Sequence, residues 1–193
     1  MKAGVLALQG DFREHARTLE AAGATPREVR VPAHLAEVDC LVIPGGESTA
    51  IAKLARAYGL VEPVRERAAG GMPVFGTCAG MIALANEIEG GEPLFGLMDI
   101  AVRRNAYGRQ VDSFEADLNI KGVDGDKPFH AIFIRAPLIE SVGKGVEVLA
   151  RVEKDNAEVI VAARQGNLLV TSFHPELSHD VRFHRYFVKM AEH

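Results

Sequence analysis

Residues that could form and activate a nucleophile occur in two short segments of this chain. Cys78 lies in Gly76-Thr77-Cys78-Ala79-Gly80, between an apolar run that predicts a strand and a run that predicts a helix. A strand, a tight turn and a helix with the nucleophile at the turn form a nucleophile elbow, here with cysteine in place of serine. Glycines on both sides let strand and helix approach closely, because they carry no Cβ. The pattern predicts a nucleophilic Cys78, with a buried packing cysteine as the alternative.

A candidate base and a group to orient it stand together at His174-Pro175-Glu176. The tripeptide follows the apolar run 168–173, which predicts a buried strand. Side chains two residues apart in an extended segment point the same way. Glu176 can therefore accept a hydrogen bond from one imidazole nitrogen of His174 and leave the other for the thiol proton. A surface turn is the alternative for this tripeptide alone, but together with Cys78 it predicts a catalytic triad.

Acyl transfer through a thioester also needs N–H donors for the developing oxyanion. The backbone amide of Ala79, at the start of the predicted helix, is one candidate, and Gly46 in the loop Pro-Gly-Gly-Glu-Ser at 44–48 is the other. This loop lacks the Gly-Lys-Ser/Thr ending of a phosphate-binding loop, and no dinucleotide fingerprint occurs. The His-x-Glu pair lacks the Pro-Cys-x-x-Cys partner of zinc deaminases. The other histidines show no metal-ligand spacing, so neither a metal nor a cofactor is expected.

The composition bounds the class of protein. The chain has 193 residues, of which 48% are hydrophobic and 25% charged, and its formal net charge is -4. These values are typical of a globular domain with a substantial core, and no basic run indicates nucleic-acid binding. Cys40 and Cys78 are too few for a disulfide framework. The first apolar run is too short for a signal peptide, and no stretch approaches membrane-spanning length. We expect a cytoplasmic protein with one domain over 1–193 and no membrane contact.

The elements that must position these groups alternate in the first half of the chain. Strands are predicted at 4–8, 27–31, 40–43 and 73–75. Helices are predicted at 12–22, 49–58, 61–69 and 81–85, the first two capped by Asp11 and Ser48. The alternation predicts an α/β fold with a mostly parallel central sheet and helices on both faces. Ligands bind beyond the carboxyl ends of such strands, where Gly46 and Cys78 both fall.

The second half of the chain changes character. Strands are predicted at 99–104, 114–120, 130–135, 146–152, 158–165 and 168–173, followed by a helix over 179–192. Gly166-Asn167 between the last two strands is a hairpin signal. We expect antiparallel additions to the sheet in this half.

The order of these motifs resembles the class I (triad) glutamine amidotransferases. Pro-Gly-Gly-Glu-Ser at 44–48, Gly-Thr-Cys-Ala-Gly-Met at 76–81 and Ser-Phe-His-Pro-Glu at 172–176 carry the resemblance. Further segments resemble the glutaminase subunits of pyridoxal 5'-phosphate synthases, along essentially the whole chain. These segments are 7–12, 104–110, 112–115 and 133–137.

The resemblance implies that Cys78 attacks the side-chain amide of L-glutamine, releasing ammonia and leaving a glutamyl thioester that water hydrolyses. His174 would act as base and then acid, and Glu176 would orient it. The implied glutamine-binding residues are Gly46, Glu47, Ser48, Arg104, Ile134 and Arg135. For the arginines a physical reason agrees, because a guanidinium fork suits a carboxylate, although a surface ion pair is the alternative. The resemblance also implies a partner, a (β/α)8-barrel synthase subunit that receives the ammonia in a hetero-oligomer.

A peptide unit between two glycines offers a way to control such an enzyme. The unit joining Gly45 and Gly46 can rotate at little steric cost and present either a carbonyl or an amide to the oxyanion. We hypothesise that the synthase contacts the surface around Gln9, Gly10 and this loop and favours the active arrangement. A simple turn is the alternative.

Three other functions compete with this interpretation. A glutaminase subunit of another synthase, such as the imidazole glycerol phosphate enzyme, would lack the Gln-Gly-Asp-Phe opening at 9–12. Cysteine peptidases on a similar fold often carry histidine directly after the elbow cysteine, where this chain has Ala79. A non-catalytic regulatory module would have no need of an intact cysteine, histidine and glutamate set.

Overall fold

The computed structural model describes residues 1–104, 113–125, 127–154 and 156–192, apart from the side chain of Lys154. Motif residues 105–110 and 112 lie outside the described residues. The strands are β1 (Lys2–Leu6), β2 (Thr25–Val29), β3 (Cys40–Ile43), β4 (Val74–Thr77), β5 (Ala85–Ile88), β6 (Met98–Arg103), β7 (Ser113–Leu118), β8 (Phe129–Ile134), β9 (Leu138–Val142), β10 (Glu147–Lys154), β11 (Ala157–Gln165) and β12 (Leu168–Thr171). The helices are α1 (Phe12–Ala21), α2 (Pro32–Leu35), α3 (Ser48–Ala57), α4 (Val61–Ala69), α5 (Ala79–Leu84), α6 (Arg182–Met190) and a 3₁₀ helix, Pro175–Leu177.

One sheet organises the described part of the chain, in the order β2-β1-β3-β4-β12-β11-β9-β6-β5, with β10 paired to β11. The first five strands of this order are mutually parallel. The strands β11, β9 and β10 join by antiparallel pairing, and β7 and β8 form a separate antiparallel ribbon. The expected α/β fold, a mostly parallel central sheet with antiparallel additions from the second half, is confirmed.

Both faces of the central sheet are covered, which is why its strands are continuous apolar runs. Side chains alternate across a strand, so Leu41 and Ile43 of β3 pack in the cluster that contains residues of α2, α3, α4 and α5. Cys40 and Val42 of the same strand pack in the opposite cluster with residues of α1, α6 and the β7–β8 ribbon. Cys40 is fully buried in this core.

The structure corrects two predicted helix caps. Ser48 is the first residue of α3, and the cap is Glu47, whose carboxylate accepts hydrogen bonds from the backbone N–H groups of Thr49 at 3.0 Å and Ala50 at 2.7 Å. Asp11 occupies the cap position of α1, but its side chain makes no capping hydrogen bond. The prediction was wrong because cap residues compete for other partners, and Asp11 faces His174 instead.

The sequence patterns also missed strands β5 and β9. Ala85–Ile88 follows α5 without a turn; its first residue fell within the predicted helix 81–85, and the exposed Asn86 and Glu87 interrupt the apolar pattern that would indicate a strand. Leu138–Val142 lies close to the end of β8 and pairs with β6. Among the described residues, no helix is long and apolar enough to cross a membrane.

Candidate active site

Cys78 occupies a sharp turn between β4 and α5. Its backbone has φ 50° and ψ -105°, in a region that side-chain-bearing residues rarely adopt and that is typical of functional turns. The turn brings α5 so close to β3 that a Cβ at Gly80 would overlap the carbonyl of Ile43. The backbone N–H of Cys78 donates to the carbonyl of Thr171 at 2.8 Å. The elbow is therefore fixed to β12, the strand that leads to the candidate base.

Strand register explains how the two predicted segments meet. β4 and β12 are parallel neighbours in which Thr77 pairs with Thr171. Because the carboxyl ends of parallel neighbours lie at one edge of the sheet, Cys78 and the segment after β12 emerge side by side. The backbone N–H of His174 donates to the carbonyl of Ile132 in the ribbon at 2.8 Å, which fixes the segment from its other side.

His174 lies between a thiol and a carboxylate. Its Nδ1 is 2.7 Å from Oε1 of Glu176, and both side chains are buried. Cys78 lines the same pocket as His174, and Nε2 is the ring nitrogen left to face the thiol. Burial disfavours the imidazolium, but the interactions with Cys78 and Glu176 outweigh it and raise the pKa of His174 to about 10. The imidazole of His174 can therefore accept the proton of the Cys78 thiol and remain protonated.

Glu176 is the carboxylate behind this histidine. Burial raises the pKa of Glu176, while its hydrogen bond and charge interaction with His174 act in the opposite direction. Because the carboxylate is nearly inaccessible, its charge depends on protein groups rather than on water. We therefore assign the Nδ1 proton to His174, where it faces Glu176 and fixes the orientation of the ring.

Asp11 is a second carboxylate near the same ring nitrogen. Its Oδ2 lies 3.5 Å from Nδ1 of His174 at the wall of the pocket. Burial raises the pKa of Asp11, and His174 acts against that rise. Ligand atoms of Asp11, His174 and Glu176 lie within 4.8 Å of one another, close enough to hold a metal ion. Such an ion would compete with the bond from Nδ1 to Glu176, so the expected absence of a metal stays a prediction.

A pocket of about 520 Å³ opens in front of Cys78 and His174. Every residue expected to contact glutamine lines this pocket, namely Gly46, Glu47, Ser48, Arg104, Ile134 and Arg135. Cys78 and Ala79 lie at one wall, while Glu176 is not part of the lining. Sequence reasoning did not single out four other lining residues, Thr49, Ile82, Pro137 and Leu177.

Two loops at the edge of the pocket are joined by a side-chain hydrogen bond and a close backbone contact. Oε1 of Gln9 accepts a hydrogen bond from the backbone N–H of Glu47 at 2.7 Å. Gly10 has φ +94°, and a Cβ there would overlap the carbonyl oxygen of Gly45. The three predicted gating residues, Gln9, Gly10 and Gly45, therefore form one contact beside the pocket.

Comparison with known proteins decides the family. The SNO glutamine amidotransferase family matches residues 5–193 of the chain. The chain belongs to this family. A protein from Parafrankia sp. (strain EAN1pec) named pyridoxal 5'-phosphate synthase subunit PdxT is 60% identical over 191 residues, covering 97% of this chain and 92% of the relative. The protein of the same name from Pelotomaculum thermopropionicum is 60% identical over 190 residues, covering 98% and 94%.

Solved structures agree with membership in the SNO glutamine amidotransferase family. A crystal structure described as a glutamine amidotransferase superposes with a TM-score of 0.91 at 50% identity, covering 99% of each chain. A structure of PurLQS from Thermotoga maritima reaches a TM-score of 0.69 at 20% identity, which shows a shared fold alone. The predicted resemblance to class I glutamine amidotransferases is confirmed, and so is the expected enzyme class.

Sequence reasoning missed a group of buried polar residues behind the candidate triad of this family member. His15, Thr77 and His184 are fully buried, and they contact one another. A signal existed for His15, because it lies four residues before Leu19 on the inward face of α1. A polar side chain on a buried helical face calls for a buried partner.

Proposed function

We propose that this chain is the glutaminase subunit of a pyridoxal 5'-phosphate synthase, which hydrolyses L-glutamine to L-glutamate and ammonia. The observation that carries the proposal is the buried His174, hydrogen-bonded to Glu176 and sharing the wall of a pocket with the thiol of Cys78. The names of the relatives from Parafrankia and Pelotomaculum support the same assignment.

The first chemical step forms the thioester. His174 takes the proton of Cys78, and the sulfur attacks the side-chain amide carbon of glutamine to give a tetrahedral intermediate. When the C–N bond breaks, His174 returns the proton to the departing nitrogen, and ammonia leaves. Glu176 keeps the ring oriented and stabilises the imidazolium between these two transfers, as the acid of a triad does.

Hydrolysis of the thioester repeats these steps with water. His174 takes a proton from water, whose oxygen attacks the thioester carbon of the glutamyl–Cys78 adduct. Collapse of the second intermediate breaks the C–S bond, and the proton passes from His174 to the sulfur. Glutamate and the starting enzyme result, so atoms and protons balance over the cycle.

Both tetrahedral intermediates carry an oxyanion that needs hydrogen-bond donors. The backbone N–H of Ala79 is one proposed donor, because the first N–H groups of a helix have no intrahelical partner and Ala79 begins α5. The N–H of Gly46 is the second, and both residues line the same pocket. Two donors from separate loops would complete the hole only when the Gly45–Gly46 peptide has the right orientation.

The charged ends of glutamine match the charges of the pocket wall. Arg104 and Arg135 are the proposed partners of the α-carboxylate, and Nε of Arg104 is buried without a hydrogen-bond partner among the described residues. Glu47 is the proposed partner of the α-ammonium group. Its carboxylate already accepts two backbone bonds, which lower the pKa of Glu47 and keep it ionised, and lone pairs remain free for a ligand.

The ammonia passes, in this proposal, to a (β/α)8-barrel synthase subunit in a hetero-oligomer. The test is ammonia release from L-glutamine by the purified chain, alone and with a pyridoxal 5'-phosphate synthase barrel subunit or an imidazole glycerol phosphate synthase subunit. We expect formation of pyridoxal 5'-phosphate from glutamine only with the first partner. Glutamine-dependent product formation with the second partner alone would assign the chain to that other synthase. No ammonia release under any condition would contradict a glutaminase.

A further inference from the structure

Only one of the two oxygens of Glu176 faces His174. The other, Oε2, lies 3.3 Å from Nε2 of His15, and both side chains are fully inaccessible to solvent. Among the described residues, Oε2 has no partner that satisfies the geometry of a full hydrogen bond. A buried carboxylate oxygen without a donor is costly, so the nearby N–H of His15 would be the group that compensates it.

His15 is itself held on both sides. Its Nε2 is 3.0 Å from Oγ1 of Thr77, the residue before the nucleophile, and its Nδ1 is 2.9 Å from Nε2 of His184. Thr77 is on β4, His15 on α1 and His184 on α6, so three elements converge behind Glu176. The contact between His15 and His184 joins residues 169 positions apart.

The charges of the group determine where its protons lie. Burial lowers the pKa of His184 to about 3 and the pKa of His15 well below its usual value. Both rings are therefore neutral, and each donates from one nitrogen. If Nε2 of His15 carried a lone pair, the Thr77 hydroxyl at 3.0 Å could donate to it, but the lone pair would also face the Glu176 carboxylate at 3.3 Å. The opposite tautomer places an N–H there and lets His184 donate from Nε2 to Nδ1 of His15.

The surroundings of Nδ1 of His184 support the same two tautomers, in which His15 and His184 each carry their proton on Nε2. Nδ1 of His184 is buried without a hydrogen-bond partner among the described residues. With His184 donating from Nε2, this Nδ1 is an unpaired acceptor. The alternative tautomers would make it an unpaired buried N–H, and orphaned buried N–H groups are the rarer case in proteins.

We propose that His15 is a positioning residue of the reaction, whose Nε2–H holds Oε2 of Glu176 so that Oε1 stays directed at His174. His184 fixes the donating tautomer of His15. The inference rests on the proposed glutaminase function for its kinetic consequence, but the geometric role stands apart from the identity of the substrate. His15 is not part of the pocket lining, so it does not touch the substrate site directly, and its contact with a triad member is the one to Glu176.

Two amide variants separate the donor from the rest of the side chain. In His15→Gln the amide nitrogen can reach the place of Nε2 and donate to Glu176, whereas the shorter side chain of His15→Asn reaches only the place of Nδ1. In the complex with the synthase, we expect His15→Asn to lower kcat roughly ten- to hundredfold, the usual effect of losing a hydrogen bond to a charged group. KM for glutamine should change less than about twofold, because the pocket is untouched. His15→Gln should recover most of kcat.

The control for a loosened helix is Leu19→Ala, which creates a cavity under α1, while Leu19 takes no part in the hydrogen bonds and close polar contacts that join Glu176, His15, Thr77 and His184. We expect it to lower the melting temperature at least as much as His15→Asn and to keep kcat. Equal kcat losses in Leu19→Ala and His15→Asn, or equal values in His15→Gln and His15→Asn, would overturn the positioning role. If either amide variant does not fold, His15→Leu, which lacks any donor, takes its place, and unchanged kcat in it would also contradict the role.

A second readout does not need glutamine. We expect the pH midpoint for alkylation of Cys78 by iodoacetamide to move upward in His15→Asn, since a less well held Glu176 stabilises the imidazolium of His174 less. Asp11, the other carboxylate that faces His174, is the same in all variants. An unmoved midpoint would contradict the proposal. If the wild-type chain releases no ammonia but the midpoint moves, the glutaminase function fails while the positioning role stands.

Discussion

The carbonyl oxygen of Gly45 accepts a hydrogen bond from the backbone N–H of Asp11 at 3.1 Å. Because a trans peptide is planar, the N–H of Gly46 points away from that carbonyl. The bond to Asp11 therefore sets the direction of one proposed oxyanion donor. Any partner that moves the Gln9–Asp11 segment would change this direction.

The first prediction concerns control by the partner. Saturating synthase should raise the rate of ammonia release by about tenfold or more, mainly through kcat, which corresponds to roughly 1.4 kcal/mol. Gly10→Ala should lower kcat in the complex, because its Cβ would displace the Gly45 carbonyl. Gly23→Ala is the matched control, since Gly23 has the same backbone strain with φ +96° and no neighbour within 4 Å of its Cβ. Equal rates with and without synthase would contradict gating.

The nucleophile can be tested by its removal. Cys78→Ala should lower glutamine hydrolysis on the order of 10⁴-fold or more, as loss of a triad member does, and leave the fold intact. Circular dichroism and a steady-state ammonia assay measure the two properties. In Cys40→Ala, the control, activity should persist, because burial raises the pKa of Cys40 to about 12 and keeps that thiol inert. Normal ammonia release by folded Cys78→Ala would exclude the Cys78 thiol as the nucleophile.

The roles of the other two triad members predict unequal losses. His174→Ala removes the proton acceptor, whereas Glu176→Gln keeps an oxygen that can accept from Nδ1 at the present 2.7 Å position. Glu176→Gln should therefore retain more kcat than His174→Ala. Single-turnover kinetics in the synthase complex give the comparison. A loss in Glu176→Gln equal to or larger than that in His174→Ala would show that the glutamate does more than orient the ring.

The proposed binding of the glutamine α-carboxylate by Arg104 and Arg135 can be tested by conservative substitution. Arg104→Lys or Arg135→Lys should raise KM for glutamine several-fold, on the order of 1 kcal/mol, because an ammonium cannot reproduce the bidentate guanidinium fork. Alkylation of Cys78 should be unaffected. Arg103→Lys is the control, as Arg103 pairs with Glu140 at 3.2 Å and lies outside the pocket lining. An unchanged KM in both Arg104→Lys and Arg135→Lys would show that neither arginine binds the α-carboxylate of glutamine.

The buried histidines predict acid sensitivity of the fold. The pKa of His184 is about 3 in the folded protein, against 6.5 for an unperturbed histidine. Below pH 6.5 the His184 imidazole is protonated in the unfolded chain but stays neutral in the folded protein. The free energy of unfolding therefore falls by about 1.4 kcal/mol for each unit by which the pH is lowered. The loss runs from pH 6.5 down to about 3. The free energy of unfolding, measured by urea titration at several pH values from 7 to 4, should fall less steeply with decreasing pH in His184→Phe than in the wild type.

The local parts of this site were determined by the sequence itself. Gly-x-Cys-x-Gly between an apolar strand and a helix predicted an elbow, with a buried packing cysteine as the alternative, and the structure has the sharp turn at Cys78. The contact between His174 and Glu176 was predicted, but from an extended backbone, and that prediction was wrong: Glu176 lies in the 3₁₀ helix Pro175–Leu177, which still brings its Oε1 to 2.7 Å from Nδ1 of His174. The alternation of strands and helices in the first half was likewise sufficient for the parallel sheet.

Relations between distant segments were decided only by tertiary structure. Nothing local specifies that Thr77 pairs with Thr171, yet this register brings Cys78 and His174 together. Asp11 carries the sequence signal of a helix cap, but a nearby buried imidazole competes for its carboxylate. His15 and His184 meet behind Glu176 because α1 and α6 pack on the same face of the sheet. Side-chain spacing acts over a few residues, whereas burial selects partners from the whole chain, so only the packed structure determines those contacts.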